Sequence, residues 1–177
     1  QIQCGYSDVV LTGGVESMST APFYIRNARF GVGNGNGVFV DPNIESQPKS
    51  QPNDIYGTFS MIQTADNVAR QFGVSREAQD EFALASQTKA IAAIDSGRFK
   101  DEIVPVIIPQ RKKEPTIFDT DEFPKRGTNM EKLSKLKTIF PEGFVTAGNA
   151  SGRNDGAAAV LVASKEKVEE LGLKPMA

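Results

Sequence analysis

The 177 residues include no histidine and no tryptophan, and a single cysteine, Cys4. A mechanism that needs a histidine base, a Cys–His pair or a histidine-ligated metal therefore cannot be completed by this chain alone. One cysteine closes no internal disulfide, which fits a reducing compartment and gives the expectation of a cytoplasmic location. No apolar run approaches the roughly 20 residues that a membrane helix needs, so no membrane partner is expected. The opening residues, Gln1, Ile2, Gln3 and Cys4, show neither the basic start nor the apolar centre of a signal peptide. They also lack an initiating methionine, which gives the expectation of a piece of a longer protein. An excess of one charge is missing too. Lys and Arg number 20 against 22 Asp and Glu, a net charge of −2. That excludes a global field for nucleic acid and leaves only local patches.

What is present suffices for a folded core. Apolar residues make up 39% and charged residues 24%, a balance unlike that of disordered chains. The 16 glycines and 10 prolines predict long loops. Asp8-Val9-Val10-Leu11-Thr12 reads as a buried strand that stops at a tight turn, Gly13-Gly14. From residue 19 to about residue 51 periodicity fades, and little regular structure is expected. Ala65, Val68, Ala69 and Phe72 fall on one helical face, with Thr64 as the cap and Gly73 as the stop. Ser75 caps a longer helix, with Phe82, Ala85, Ala92 and Ala93 turned inward and Ser96-Gly97 at its end. Residues 103–108 predict an edge strand because of Pro105. Thr128-Asn129-Met130-Glu131 has the pattern of a capping box, opening a short helix with Leu133 and Leu136 buried. Residues 157–163 read as a second buried strand, followed by a helix over 165–171. Two strands near the ends, separated by a long excursion, predict a domain inserted into an α/β sheet.

Four stretches could carry chemistry. The run from Gly31 to Gly37 could cradle a phosphate through backbone N–H groups. A dinucleotide loop, however, follows a strand and opens a helix, and this context is absent, which favours a surface loop. Cys4 has no histidine partner and reads as a small apolar residue. Arg111, Lys112, Lys113, Lys125, Arg126, Lys132, Lys135 and Lys137 form the one basic cluster, largely offset by Glu114, Asp119, Asp121, Glu122 and Glu131. It reads as a solvated, salt-bridged face or as a site for a ligand's phosphates. Residues 146–156 form a small-residue loop that would let a ligand approach the backbone, with Asn149 and Ser151 as polar handles. On composition alone that loop is an ordinary turn.

Two segments carry a resemblance. Gly13-Gly14-Val15-Glu16-Ser17-Met18-Ser19, together with Thr146-Ala147-Gly148-Asn149-Ala150-Ser151-Gly152 and Asn154-Asp155-Gly156-Ala157-Ala158, resembles signature stretches of the thiolase family, the acetyl-CoA acyltransferases. Thr64-Ala65-Asp66-Asn67-Val68-Ala69, Ser75-Arg76-Glu77-Ala78-Gln79-Asp80, Gly97-Arg98-Phe99-Lys100-Asp101-Glu102-Ile103 and Leu133-Ser134-Lys135-Leu136 match in order between them. The likeness covers essentially the whole chain.

The resemblance implies an internal fragment of an α/β thiolase fold, a partial N-terminal domain in which an inserted loop domain makes up most of the chain. Residues 1–18 would be a strand and turn of the core. Residues 19–153 would be the loop domain covering the coenzyme A site, and residues 154–177 the return strand and helix. It implies Claisen condensation or its thiolytic reverse on CoA thioesters, with an acyl-cysteine, a second cysteine and a histidine. The family nucleophile would lie upstream of Gln1, the others beyond Ala177, so no catalytic residue is assigned and the chain alone is expected to be inactive. Binding residues carry over: Ala150, Ser151 and Gly152 at the pantetheine arm, Met61 at the acyl and pantetheine pocket, and Lys125 with Arg126 near the nucleotide. CoA thioesters are substrates; no separate cofactor and no metal is implied. Ser60 and Ile62 depart from the family, where short-chain members have histidine and many members glycine. A homo-oligomer is expected. A non-catalytic assembly module is the alternative. Nucleic-acid binding through residues 112–137 is disfavoured by the lack of interleaved aromatics.

Overall fold

The computed structural model describes residues 1–177, the side chain of Gln47 excepted. A 3-10 turn at Ile2–Cys4 leads to strand β1 (Val9–Glu16), then helices α1 (Pro42–Lys49), α2 (Asn53–Tyr56), α3 (Met61–Phe72) and α4 (Arg76–Asp95). Strands β2 (Val106–Ile108) and β3 (Thr116–Phe118), helix α5 (Met130–Ser134), strand β4 (Gly156–Ala163) and helix α6 (Lys165–Glu170) complete the α/β chain. The elements group into two compact units, residues 1–46 with 153–177, and residues 47–152.

In the first unit β1 and β4 pair antiparallel, with Val9 opposite Ala163 and Glu16 opposite Gly156. The turn expected at Gly13-Gly14 is not there, because β1 runs straight through both residues. Gly13 faces Ala159, and a Cβ on it would lie 2.8 Å from the Ala158 carbonyl oxygen. The glycine serves a close strand approach rather than a bend. The ladder is prolonged where Ser164 N–H donates to the Asp8 carbonyl at 2.8 Å. Ser164 then caps α6 by accepting from the Lys167 N–H. Both strands were expected to be buried, yet Leu11 is 73% and Val15 82% exposed. A ribbon of two strands cannot cover its own faces. The region expected to be irregular contains α1, which begins with the Asn43 N–H bonded to the Asp41 carboxylate and has Pro42 in its first turn. A backbone bridge joins Tyr24 to Val40, and Tyr24, Arg26 and Glu45 form a surface cluster. Neither a strand before residues 31–37 nor a helix opening from them is present, which leaves a surface loop.

In the second unit α3 starts earlier than expected. Ser60, not Thr64, is its cap: its hydroxyl accepts from Gln63 N–H, and its own N–H donates to Gln63 Oε1 at 2.8 Å. This reciprocal pair is a capping box, and Thr64 bonds back to the Ser60 carbonyl within the first turn. Ser75 caps α4 as the sequence predicts. The buried stripes differ from the apolar ones. Asp66 and Ala69 are buried on α3 while Val68 and Phe72 are exposed. On α4 Asp80 is buried and Phe82 exposed, whereas Arg76, Ala83 and Leu84 are half-buried. Helix α5 opens one residue later than expected, with Asn129 as its cap, and only Leu133 is buried, Leu136 being part exposed. The edge strand narrows to β2 and gains an antiparallel partner, β3, with Ile107 opposite Ile117.

The fully buried residues among those described are Ala69, Leu133 and Val145, with Asp66, Asp80 and Thr146. All belong to residues 47–152. This core is half polar, and the reason lies in the loop it encloses.

Candidate functional site

Residues 143–149 run through that core without forming a helix or a strand beyond one bridge. Buried backbone N–H groups outside regular structure must find other acceptors. Two carboxylates supply them. Asp66, from the middle of α3, accepts from the Phe144 N–H at 2.7 Å and the Val145 N–H at 3.1 Å through one oxygen. Its other oxygen stands where a Cβ on Gly143 would be, 2.7 Å away, so only glycine fits beside it. Asp80, from the first half of α4, accepts from Asn149 Nδ2 at 3.0 Å. Its second oxygen takes the Arg76 guanidinium at 2.8 Å.

Asn149 is the hinge between helix and loop. Besides Asp80 it donates to the Phe144 carbonyl, and its own Oδ1 accepts from Thr146 N–H at 2.7 Å. Thr146 Oγ1 in turn accepts from Gly148 N–H at 3.1 Å, and the Thr146 carbonyl from Ala150 N–H at 3.1 Å. Arg76 also donates to the Leu133 and Leu136 carbonyls at and just beyond the end of α5. No buried side-chain nitrogen or oxygen among the described residues lacks a partner. A complete network of this kind holds one backbone geometry rather than several.

Ala150, Ser151 and Gly152 follow directly. Ala150 and Gly152 are half-buried and Ser151 is exposed. The Ser151 hydroxyl makes no hydrogen bond among the described residues. Met61 is the first residue of α3 and is 62% exposed, five residues before Asp66 on the same helix. Ile62, one of the two departures, is half-buried, on the side of α3 that carries Asp66 and Ala69. Lys125 and Arg126 stand apart from the loop. Lys125, with Gly127 and Thr128, lines a groove of about 320 Å³ whose other wall is the second half of α4, including Gln87, Ile91 and Asp95. Ile91 lies eleven residues beyond Asp80, about 16 Å along the helix axis.

The groove's charges are unequal. Arg126 makes a two-pronged ion pair with Asp95 at 2.9 and 2.6 Å. Hydrogen bonding to that guanidinium holds the Asp95 carboxyl below its ordinary value and raises Arg126. Lys125 has no carboxylate partner among the described residues. Its N–H is bonded to Gln87 Oε1 at 2.7 Å and its ammonium lies 6.0 Å from the Phe123 ring centre. Elsewhere in the basic cluster Lys135 pairs with Glu131, and Lys132 is bonded to the Gly127 carbonyl. Cys4 is exposed. No group of acidic residues and cysteine that could hold a metal occurs among the described residues, and no helix there is long and apolar enough to cross a membrane.

The structure thus gathers Ala150, Ser151 and Gly152 on one tethered loop, sets Met61 on a tethering helix, and puts Lys125 in a separate groove, with Arg126 paired to that groove's Asp95. Asp66, Arg76 and Asp80 had no assigned site role from sequence, and Asn149, read there as a polar handle for a ligand, has its amide bonded to Asp80, Phe144 and Thr146. A polar residue on an otherwise apolar helical stripe, as Asp66 is between Ile62 and Ala69, was the available signal.

Residues 1–166 match the family described as Thiolase, N-terminal domain. An acetyl-CoA acetyltransferase of Pseudomonas aeruginosa is 51% identical over 99% of this chain and 44% of its own length. Among solved structures, the acetyl-CoA acetyltransferase of Bacillus anthracis superposes with a TM-score of 0.83 at 43% identity, over 99% of this chain and 43% of that one. Human mitochondrial 3-ketoacyl-CoA thiolase in complex with CoA gives 0.82 at 38%, over 98% and 42%. The chain therefore spans less than half the length of the curated relatives it matches. It belongs to the thiolase family, and its residues 1–166 are those of the N-terminal domain.

Proposed function

We propose that this chain is the CoA-binding portion of a thiolase that moves acyl groups between CoA thioesters, by Claisen condensation or by thiolytic cleavage of a 3-ketoacyl-CoA. In this reading residues 19–153 act as the inserted loop domain over the CoA site. The carrying observation is the exposed Ser151 hydroxyl at the end of a loop held by Asp66 and Asp80. Its position suits a hydrogen bond to the amide-rich pantetheine arm. Gly152 beside it leaves the backbone open to a ligand. Met61 flanks the acyl end. Lys125, uncompensated by a carboxylate, meets nucleotide phosphate, and Arg126 stabilises the groove through Asp95 while offering its outer face.

The chain supplies binding and orientation only. Acyl transfer of this kind needs a thiolate nucleophile and a group to carry its proton. With no histidine, and Cys4 exposed in a 3-10 turn, these residues provide neither. The chain by itself is expected to turn over no acetoacetyl-CoA. Its affinity for CoA is expected to be on the order of millimolar, about 4 kcal/mol. An NMR titration with CoA tests the reading: shifts should concentrate at residues 150–152 and 125–126. Ser151→Ala should remove the first set and weaken binding by about 0.5–1.5 kcal/mol, one neutral hydrogen bond. Equal binding by the wild type and by the Ser151→Ala, Lys125→Ala double variant would overturn it.

A second reading, an assembly module, draws on the exposed β1–β4 ribbon. Strand edges without partners recruit strands from other chains. In that case light scattering would show oligomers while CoA produced no shifts.

A further inference from the structure

We infer that Asp80 is a positioning residue for CoA binding: it never meets the ligand, and it sets where Ser151 stands by holding the side chain of Asn149. This rests on the CoA reading above.

A fully buried carboxylate is a poor source of net stability. Removing it from water costs several kcal/mol, and well-packed apolar replacements are often as stable. Asp80 is 1% exposed, so its presence calls for a return other than burial. Its two oxygens divide the work. One binds Arg76, which also grips the Leu133 and Leu136 carbonyls and so fixes α5 to α4. The other binds Asn149 Nδ2, whose amide also ties the loop at two points, Phe144 and Thr146. An amide placed in this way needs its NH2 turned toward Asp80 and its oxygen toward Thr146. A carboxylate, which accepts only, dictates that orientation. A neutral amide at residue 80 would not.

The tie ends one residue short of Ser151. Thr146, Gly148 and Ala150 each donate an N–H within the turn, and Ser151 is the first residue beyond it. Its direction is inherited from Asn149, two residues back. Loosening Asn149 therefore moves the hydroxyl without touching it. A displacement of the order of 1 Å is enough to lose such a contact.

The test combines amide hydrogen exchange with CoA titration on wild type, Asp80→Asn, Asn149→Ala and Ser151→Ala. We expect Asp80→Asn to speed exchange at Thr146, Gly148 and Ala150 while Ala69 in α3 keeps its rate, and to weaken CoA about tenfold. Ser151→Ala should weaken CoA with exchange unchanged. In the Asp80→Asn, Asn149→Ala double variant the loss should equal that of one change alone, as for groups acting through one bond. Should Asp80→Asn fail to fold, Asn149→Ala carries the same test with the Arg76–Asp80 pair intact. Unchanged loop exchange, additive losses, or a loosened loop with CoA affinity retained would each overturn the positioning role. If the wild type binds no CoA at Ser151, the functional reading fails and the positioning role falls with it. Faster loop exchange in Asp80→Asn would then mark a purely structural tie.

Discussion

A Cβ placed on Gly148 would lie 2.5 Å from Leu136 Cδ1 and 2.6 Å from Leu133 Cδ2. The loop bearing Ser151 is therefore pressed against the leucines of α5 and its following turn from one side, while Asn149 and Asp80 hold it from another. Gly148→Ala is expected to destabilise residues 47–152 by about 1–3 kcal/mol, the range for overpacking a filled site. Leu136 is part exposed and can swing aside, whereas Leu133 is buried and cannot. Leu136→Ala should consequently restore part of the loss in the double variant, but Leu133→Ala should add its own cavity cost. Urea denaturation of wild type, Gly148→Ala and the two double variants measures this, and full rescue by Leu133→Ala would contradict it.

Asp66 differs from Asp80 in what it holds. It satisfies two main-chain N–H groups directly, at Phe144 and Val145. Asp66→Ala leaves both without an acceptor in a buried place and should cost about 3 kcal/mol or more. Asp66→Asn keeps one acceptor oxygen and should cost clearly less. Equal losses for the two variants, read from denaturation midpoints, would show that charge rather than acceptance matters.

Lys125 and Arg126 are adjacent in sequence and opposite in behaviour. The Lys125 ammonium is exposed and unpaired with any carboxylate among the described residues, so its attraction for phosphate is screened by salt. Lys125→Ala should weaken CoA at low ionic strength and have little effect at high. Arg126→Ala removes the partner of Asp95 and leaves that carboxylate in the groove. Both charges are exposed, so this loss is screened too, but at low salt it should exceed that of Lys125→Ala and give a steeper salt slope, by added repulsion as well as lost attraction. Calorimetric titrations at two salt concentrations separate the two, and matching salt slopes would refute the distinction.

Asp155 gives a pH signature in the unit that contains β1 and β4. It accepts from the Ser19 hydroxyl at 2.6 Å and the Ser19 N–H at 2.9 Å. These bonds, the hydroxyl's first, hold its carboxyl below the ordinary value of 3.8. A depressed carboxylate stabilises the fold fully above the unfolded value and loses that contribution as pH falls through the folded one. Wild type should thus lose stability in that acid window and Asp155→Asn should lose less. A carbon-detected NMR titration placing the Asp155 midpoint at or above 3.8 would disprove the coupling.

Helix starts were legible in the sequence to within a few residues, and long-range partners were not. Ser75 before α4 is a cap whose bond lies within three residues and is legible, whereas the sequence reading puts the cap of α3 at Thr64 rather than at Ser60, which has the same spacing to Gln63. Gly13-Gly14 misled because a glycine pair has two meanings, a bend or a close neighbour. The neighbour here, Ala158, is far away in the chain. The inward face of α3 was misassigned for a related reason. Apolar spacing favours Val68 and Phe72, but the loop requires an acceptor, and that demand turns Asp66 inward. Residues 150–152 could be singled out from sequence through family likeness, whereas the tether beneath them depends on bonds spanning 69 and 78 residues. No local pattern encodes those.

The β1–β4 ribbon has a bearing on how the chain can be handled. All eight residues of β4, Gly156–Ala163, are uncharged and none is proline, and among the described residues β4 pairs with β1 alone. Short segments of this composition, with a free edge, are templates for cross-β stacking. Loss of material in solution should accordingly follow concentration and time more closely than temperature, with thioflavin-positive deposits forming below the unfolding transition. A lysine at Val160, 59% exposed on that strand, would act as a gatekeeper charge, lengthening the lag before deposits form without altering the ordered loop of residues 143–149.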